Sequence, residues 1–133
     1  MRVLIDTNIL VSAVLYPAGM ARRALIEAVE GSDEAIVCDY AIAELHDVFQ
    51  RKFPAQVELL PQFMAYLSSG VNIVSTPERS EPDEIALRDP KDQPILSSAH
   101  ANNADLILTG DKDILDAGLT HPQAVDPRRY LSR

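Results

Sequence analysis

The sequence predicts an α/β fold in which a central, mostly parallel sheet lies between two layers of helices. Short apolar runs alternate along the chain with segments whose apolar residues recur at helical spacing. This alternation requires crossover connections, which cover both faces of a parallel sheet. The length of 133 residues and the apolar content of 47% suit one buried core. We therefore expect a single three-layer α/β/α domain over residues 1–133.

The first half of the chain divides where proline, glycine and capping residues interrupt the apolar pattern. In order, the predicted elements are a strand at Val3–Ile5, a short helix that ends at Pro17 and Gly19, a helix at Met20–Glu30, a strand at Ala35–Cys38 and a helix capped by Asp39 that runs to about Phe53. Three polar residues follow the first strand directly, namely Asp6, Thr7 and Asn8. Because ligands bind at the carboxyl ends of strands in open α/β sheets, these residues are the first candidates for a site.

The second half of the chain continues the alternation with shorter elements. In order, we predict a helix at Pro61–Ser69, a strand at Val71–Val74, a surface loop at Thr76–Asp83, a helix from Asp92 to about Asn102, a strand at Leu106–Thr109, a short helix at Lys112–Ala117, a weak strand at Ala124–Val125 and a final helical turn at Arg128–Leu131. The strand Leu106–Thr109 is the most strongly apolar after the first. Gly110 and Asp111 end it.

Composition excludes several classes of protein. No segment approaches the ~20 consecutive apolar residues of a membrane helix, and no secretion leader precedes the first strand, so we expect a cytoplasmic protein without membrane contact. Cys38 is the single cysteine; it can form no intramolecular disulfide, and its apolar neighbours indicate a buried structural residue. The net charge of −8 argues against binding nucleic acid by bulk electrostatics, although carboxylates gathered around cations also give an acidic total.

Four acids stand at element ends or beside apolar faces: Asp6, Glu44, Asp92 and Asp111. Each has a structural alternative to a functional role. Asp6 and Asp92 are suited to capping the helices that follow them. Asp111 could belong to a Gly-Asp turn, and Glu44 could be a solvated helix residue. Considered one at a time, the acids leave these alternatives open.

Considered together, the four acids predict a cation site. Asp6 and Asp111 follow strands, and the helices that carry Glu44 and Asp92 begin near the same edge of a parallel sheet. Crowded carboxylates repel and raise one another's pKa values unless a cation lies between them. A hard divalent ion such as Mg²⁺ or Mn²⁺ offers that compensation.

Motifs along nearly the whole chain resemble those of a known family. VLIDTN, AIAELHDVF, DPKD, ADLILTGDKDIL and the closing DPRRYL occur in the order typical of the PIN-domain ribonucleases, in particular the small bacterial toxins of toxin–antitoxin pairs. The resemblance implies a PIN-like fold and an endoribonuclease that cleaves RNA phosphodiester bonds with one or two Mg²⁺ or Mn²⁺ ions. It also implies an antitoxin protein as partner and a homodimer as assembly.

The resemblance assigns catalytic and metal-binding roles to the four acids, Asp6, Glu44, Asp92 and Asp111. Asp6 and Asp111 would be direct ligands, and the other two would complete the site or act through water. Three polar neighbours would orient the acids by hydrogen bonds, namely Thr7, Asn8 and Thr109.

The roles of two further acids near the motifs stay open. Asp113 is either an additional ligand, as in some relatives, or a cap of the helix after it. Asp89 competes with Asp92, although the spacing to the helix favours Asp92. The histidines His46, His100 and His121 are scattered, and we expect surface or core roles for them.

RNA contact by so acidic a protein would depend on local cations, for which the candidates are Arg22, Arg23, Arg51, Lys52 and Lys112, although solvated helix faces also explain them. Two other functions compete with the nuclease. An aspartyl-phosphate phosphotransfer protein would want a second acid close to Asp6, where Thr7 and Asn8 stand instead. A non-catalytic module of the same fold could hold an antitoxin-like peptide in its acidic pocket, and only an activity assay separates it from the enzyme.

Overall fold

The computed structural model describes residues 1–133, which form a parallel sheet of five strands. The strands are β1 (Arg2–Ile5), β2 (Glu34–Cys38), β3 (Asn72–Val74), β4 (Leu106–Leu108) and β5 (Gln123–Val125). Their spatial order is β3-β2-β1-β4-β5, and every neighbouring pair is parallel. The predicted α/β class is confirmed, and the sheet is wholly rather than mostly parallel.

Helices cover both faces of this sheet. They are α1 (Thr7–Leu15), α2 (Met20–Glu30), α3 (Asp39–Lys52), α4 (Leu60–Gly70), α5 (Gln93–Ala101), α6 (Lys112–Leu115) and α7 (Pro127–Leu131). Successive side chains of a strand point to opposite faces, yet Val3, Leu4 and Ile5 of β1 are all 0% exposed. The three-layer arrangement is therefore the observed one.

The strand order reverses between β1 and β4. From β1 the chain moves outward to β2 and β3 on one side, and β4 and β5 lie on the other. In open α/β sheets the ligand crevice forms at such a reversal, outside the carboxyl ends of the strands. Ile5 pairs with Leu108, so the residues that follow them, Asp6 and Thr109, leave the sheet side by side at this point.

The predicted cap at Asp39 is wrong. Strand β2 runs to Cys38 and passes directly into α3, so Asp39 is the first residue of the helix rather than its cap. Its Oδ1 instead accepts hydrogen bonds from the backbone N and the Oγ1 of Thr76, at 2.9 and 2.6 Å. These bonds lower the pKa of Asp39, and they attach the start of α3 to the segment after β3.

The structure also contains two short 3-10 segments that the apolar pattern did not predict, each directly before a helix. One spans Pro54–Leu59 before α4, and another spans Pro90–Asp92, so α5 begins one residue later than expected. Cys38 is 0% exposed, as its surroundings predicted. No single helix is long and apolar enough to cross a membrane; α1 and α2 reach that length and composition only as a pair bent by 113°.

Candidate metal centre

Asp6 lies at the end of β1 and is 3% exposed. Its Oδ1 accepts a 2.7 Å hydrogen bond from the backbone N of Thr7, so Asp6 does cap α1. Its Oδ2 accepts bonds from Thr109 Oγ1 at 2.7 Å and from Asn8 Nδ2 at 3.2 Å. The Thr7 hydroxyl, by contrast, is buried without a hydrogen-bond partner. Because each carboxylate oxygen has two lone pairs, capping leaves Asp6 able to contact a cation.

Thr109 and Asn8 join the segments that follow β1 and β4. The Thr109 hydroxyl donates to Asp6 and accepts a 3.0 Å bond from the backbone N of Asp111. Asn8 donates to Asp6 through Nδ2, while its Oδ1 accepts a 3.1 Å bond from the backbone N of Gly110. These contacts fix the position of Asp6 relative to Asp111.

Asp92 ends the 3-10 segment and precedes α5. Its backbone is already helical and its side chain makes no capping bond. Asp89 is the cap instead, because its Oδ1 accepts a 3.0 Å bond from the backbone N of Lys91. Tyr40 of α3 donates a 2.8 Å bond to the Lys91 carbonyl and attaches this turn to α3. Capping therefore explains Asp89 but not Asp92.

Asp111 follows β4 and caps α6, since its Oδ1 accepts a 2.8 Å bond from the backbone N of Asp113. The alternative that Asp113 caps this helix is wrong, because Asp113 lies inside it. One carboxylate oxygen from each of Asp92, Asp111 and Asp113 lies within 4.8 Å of the others. A single ion could contact all three.

A pocket of about 360 Å³ opens at the carboxyl edge of the sheet. Its lining includes all four acids considered above, Asp6, Glu44, Asp92 and Asp111. Glu44 reaches it from α3, where it is half-buried rather than solvated. Asp92 and Asp111 thus belong both to this pocket and to the group with Asp113. The roles of these residues as ligands and catalytic groups stay a prediction.

Electrostatics at the pocket disfavours the fully charged state. Burial raises the pKa of Asp6 to about 6, and the charges of Glu44 and Asp111 add to the rise. The hydrogen bond from Thr109 opposes it. Burial, followed by the charge of Asp111, raises the pKa of Asp92 to about 7. Near neutral pH the cluster is therefore strained by repulsion that a cation would relieve.

The donor set fits a hard divalent cation. Asp92 Oδ2 is buried and forms no hydrogen bond, an arrangement that costs free energy unless a ligand completes it. The acids that line the pocket offer carboxylate oxygens, and no histidine or cysteine is among the lining residues. Oxygen ligands are those that Mg²⁺ and Mn²⁺ prefer.

The remaining predicted residues lie in different places. None of the three histidines lines the pocket, whereas Lys52 does. Arg22 lines a separate groove, and Arg51 pairs with Asp47 at 2.8 Å. Arg23 and Lys112 are exposed.

Sequence reasoning missed Arg88. Its Nη1 lies 3.4 Å from Oδ1 of Asp113, across 25 residues of sequence. The only available signal was its position immediately before the DPKD motif. An exposed loop arginine is otherwise indistinguishable in sequence from a solvated one.

The sheet is all-parallel, and carboxylates gather where its strand order reverses. The chain is therefore an α/β protein with a candidate cation site. A family model described as PIN domain matches residues 2–113. The chain belongs to the PIN-domain family, and the match includes all the acids discussed above. No curated protein sequence gives a significant match to the chain.

Solved structures of similar fold cover nearly the whole chain. VapBC2 from Rickettsia felis, solved with a DNA fragment from its promoter, has a TM-score of 0.70 at 17% identity and covers 95% of this chain and 98% of that one. VapC20 from Mycobacterium tuberculosis, described as a toxin that cleaves the Sarcin-Ricin loop, has a TM-score of 0.65 at 13% identity, with coverages of 89% and 96%. A PilT N-terminus domain protein from Sulfolobus solfataricus has a TM-score of 0.55 at 14% identity, with coverages of 99% and 92%. At these identities the similarity establishes the fold.

Proposed function

We propose that this chain is a divalent-metal-dependent endoribonuclease that hydrolyses RNA phosphodiester bonds. The observation that carries the proposal is the buried, unpartnered Oδ2 of Asp92, whose pKa is raised by burial and by the neighbouring Asp111. Carboxylates kept in this state are suited to binding a cation. Membership of the PIN-domain family supports the same conclusion.

In this proposal the ligands of one or two Mg²⁺ or Mn²⁺ ions come from Asp6, Glu44, Asp92 and Asp111, with Asp113 as a further candidate. A bound divalent ion would lower the pKa of a coordinated water and stabilise negative charge on phosphate oxygens. Asn8 and Thr109 orient Asp6 through their hydrogen bonds to Oδ2. Thr7 contributes its backbone N–H to Oδ1 of the same acid.

The proposal differs from the phosphotransfer alternative in what it requires of Asp6. A phosphotransfer protein would want a second acid close to Asp6, but Thr7 and Asn8 stand there. The other acids that line the pocket with Asp6 come from distant parts of the chain. This arrangement favours metal binding over an aspartyl phosphate.

We further propose that the chain is the cytoplasmic toxin of a toxin–antitoxin pair, with RNA as substrate, an antitoxin as protein partner and a homodimer as assembly. The toxins among the structures of similar fold support this role. A groove of about 350 Å³, lined by Leu25, Ile26, Phe63 and Tyr66 among others, offers an apolar surface of the kind that protein partners cover.

The test is cleavage of labelled single-stranded RNA by the purified chain with Mn²⁺ and with EDTA. We expect cleavage only with the metal ion. Asp6→Asn and Asp92→Asn should each reduce the rate by about 100-fold or more while the fold is kept. Asp47→Asn is the matched control, because it neutralises an exposed carboxylate of α3 that pairs with Arg51.

Four results would contradict parts of the proposal. Cleavage in EDTA would exclude the metal requirement, and full activity of Asp6→Asn would exclude the assigned site. Tight Mn²⁺ binding without cleavage of any RNA would favour the non-catalytic partner-binding module. Equal losses in Asp47→Asn and Asp92→Asn would indicate a general effect of charge.

A further inference from the structure

One exposed arginine reaches the candidate metal centre from the long segment between β3 and α5. The Arg88 side chain is 85% exposed, and its Nη1 lies 3.4 Å from Oδ1 of Asp113. Asp113 in turn shares a cluster with Asp92 and Asp111. Among the ion pairs of the structure, this is the one that includes a carboxylate of the cluster.

The backbone on both sides of Arg88 is held in place. Leu87, the preceding residue, is 7% exposed, and its backbone N donates a 2.8 Å bond to Oε1 of Gln93. Asp89, the following residue, accepts a 3.0 Å bond from the backbone N of Lys91. The arginine therefore extends from a fixed point, although its own side chain is exposed.

Helix α5 also holds Glu84 and Ile85, which precede Arg88 in the chain. Gln93 Nε2 donates to Oε2 of Glu84 at 2.6 Å and to the Ile85 carbonyl at 2.9 Å. Ser97 Oγ donates to the same oxygen of Glu84 at 2.8 Å. These bonds attach the segment before Arg88 to the helix that starts directly after Asp92, so the backbone from which Arg88 extends is fixed beside the candidate metal centre.

We propose that Arg88 binds a phosphate group of the RNA beside the metal centre, an inference that rests on the proposed endoribonuclease function. Exposed ion pairs are weak, so Arg88 can exchange Asp113 for a stronger partner. A guanidinium donates two parallel hydrogen bonds to a phosphate and matches its geometry. Since the chain carries a net charge of −8, RNA must be bound by local contacts of this kind rather than by overall attraction.

The test compares Arg88→Ala with the wild type in steady-state cleavage of a single-stranded RNA at several salt concentrations. Loss of the phosphate contact should raise KM by about tenfold with a smaller effect on kcat. The dependence of log KM on log salt concentration should become shallower by about 0.7, the contribution of one neutralised phosphate in a single strand. Mn²⁺ affinity, measured by calorimetry without RNA, should be unchanged or tighter, because a competing cation has left Asp113.

Two control variants separate the contact from charge and folding. Arg88→Lys keeps the charge, so it should retain the wild-type salt dependence. Its KM should lie between that of the wild type and that of Arg88→Ala. Arg79→Ala removes an exposed arginine from the same segment and should leave KM and its salt dependence at wild-type values. Thermal unfolding of all three variants checks that the fold is kept.

An active Arg88→Ala with wild-type KM and salt dependence would overturn the inference and leave the endoribonuclease intact. A loss of Mn²⁺ affinity parallel to the loss of activity would overturn it too, since Arg88 would then act by positioning Asp113. A wild-type chain that cleaves no RNA under any metal condition would refute both the inference and the function on which it rests.

Discussion

The hydroxyl of Thr109 donates a 2.7 Å hydrogen bond to Oδ2 of Asp6 across 103 residues of sequence, with both side chains buried. This bond opposes the rise in the Asp6 pKa that burial causes. Thr109→Val removes it at nearly constant volume, so the pKa of Asp6 should rise above about 6. We expect the acidic limb of kcat/KM against pH to move to higher pH.

The same variant should lower the free energy of unfolding by about 1–3 kcal/mol, because buried groups lose their partner. Urea titration measures this change. Thr109→Ser keeps the hydroxyl, so the acidic limb of its kcat/KM profile should lie at the wild-type pH. An unshifted limb in Thr109→Val would show that Thr109 does not control the ionisation of Asp6.

We expect Asp92 to make the metal-free protein less stable as the pH rises. Its pKa is 3.8 in the ordinary state and about 7 in the fold, so the folded chain binds the proton more tightly than the unfolded chain. The free energy of unfolding should therefore fall between about pH 4 and pH 7. In EDTA, Asp92→Asn should exceed the wild type by about 1 kcal/mol at pH 8 and lose this advantage near pH 4.

Urea titrations at both pH values measure that difference, and a repeat with Mn²⁺ should reverse its sign at pH 8. Metal binding stabilises only the state that holds the ion, so Mn²⁺ should stabilise the wild type more than the variant. Equal stabilisation of both proteins would exclude Asp92 as a ligand.

Asn8 should affect metal binding without being a proposed ligand. Asn8→Ala removes the bonds to Asp6 and to the backbone N of Gly110. Loss of such an orienting residue typically costs about 10- to 100-fold in metal affinity or activity, which calorimetry with Mn²⁺ would detect. Asn72→Ala, which removes an exposed amide that contacts Glu34 on the sheet, should retain wild-type affinity.

Asp33 lies just before β2, away from the candidate metal centre, and contributes to stability through its hydrogen bonds. Burial alone would raise its pKa, but hydrogen bonds from Tyr130, the terminal amine and Arg133 outweigh burial and lower the pKa to about 2. This contribution is present above the ordinary value of 3.8 and is lost as the pH falls through the folded value.

Tyr130→Phe removes the 2.7 Å bond to Asp33. It should lower the free energy of unfolding by about 1 kcal/mol at pH 7, with a difference that shrinks as the pH falls toward 2. RNA cleavage should be unaffected, because neither residue lines the pocket. A proportional loss of activity would instead connect this contact to the site.

Apolar spacing was sufficient to predict the order of elements, because burial on both faces excludes polar residues from strands such as Val3–Ile5. Helix starts were less predictable. Asp39 and Asp92 both have the local pattern of a cap, yet the end of β2 and an added 3-10 segment determine where their helices begin. The local sequence does not predict these helix starts, because they depend on tertiary structure.

The candidate site was predictable to the extent that it follows strand ends. Asp6 and Asp111 could be expected at one edge of the sheet, because parallel strands end on the same side. The bond between Thr109 and Asp6 depends on β1 lying beside β4, which is a property of strand order rather than of either strand. The contact between Arg88 and Asp113 depends on an irregular segment held by hydrogen bonds from α5, and no periodic pattern encodes it.

The adjacency of β1 and β4 also has a temporal consequence. Thr109, which orients Asp6, emerges from the ribosome 103 residues after it. A nascent chain, or a proteolytic fragment that ends before β4, contains neither Thr109 nor Asp111 and therefore has only part of the acidic pocket. Incomplete copies of the protein should consequently lack the complete candidate cation site.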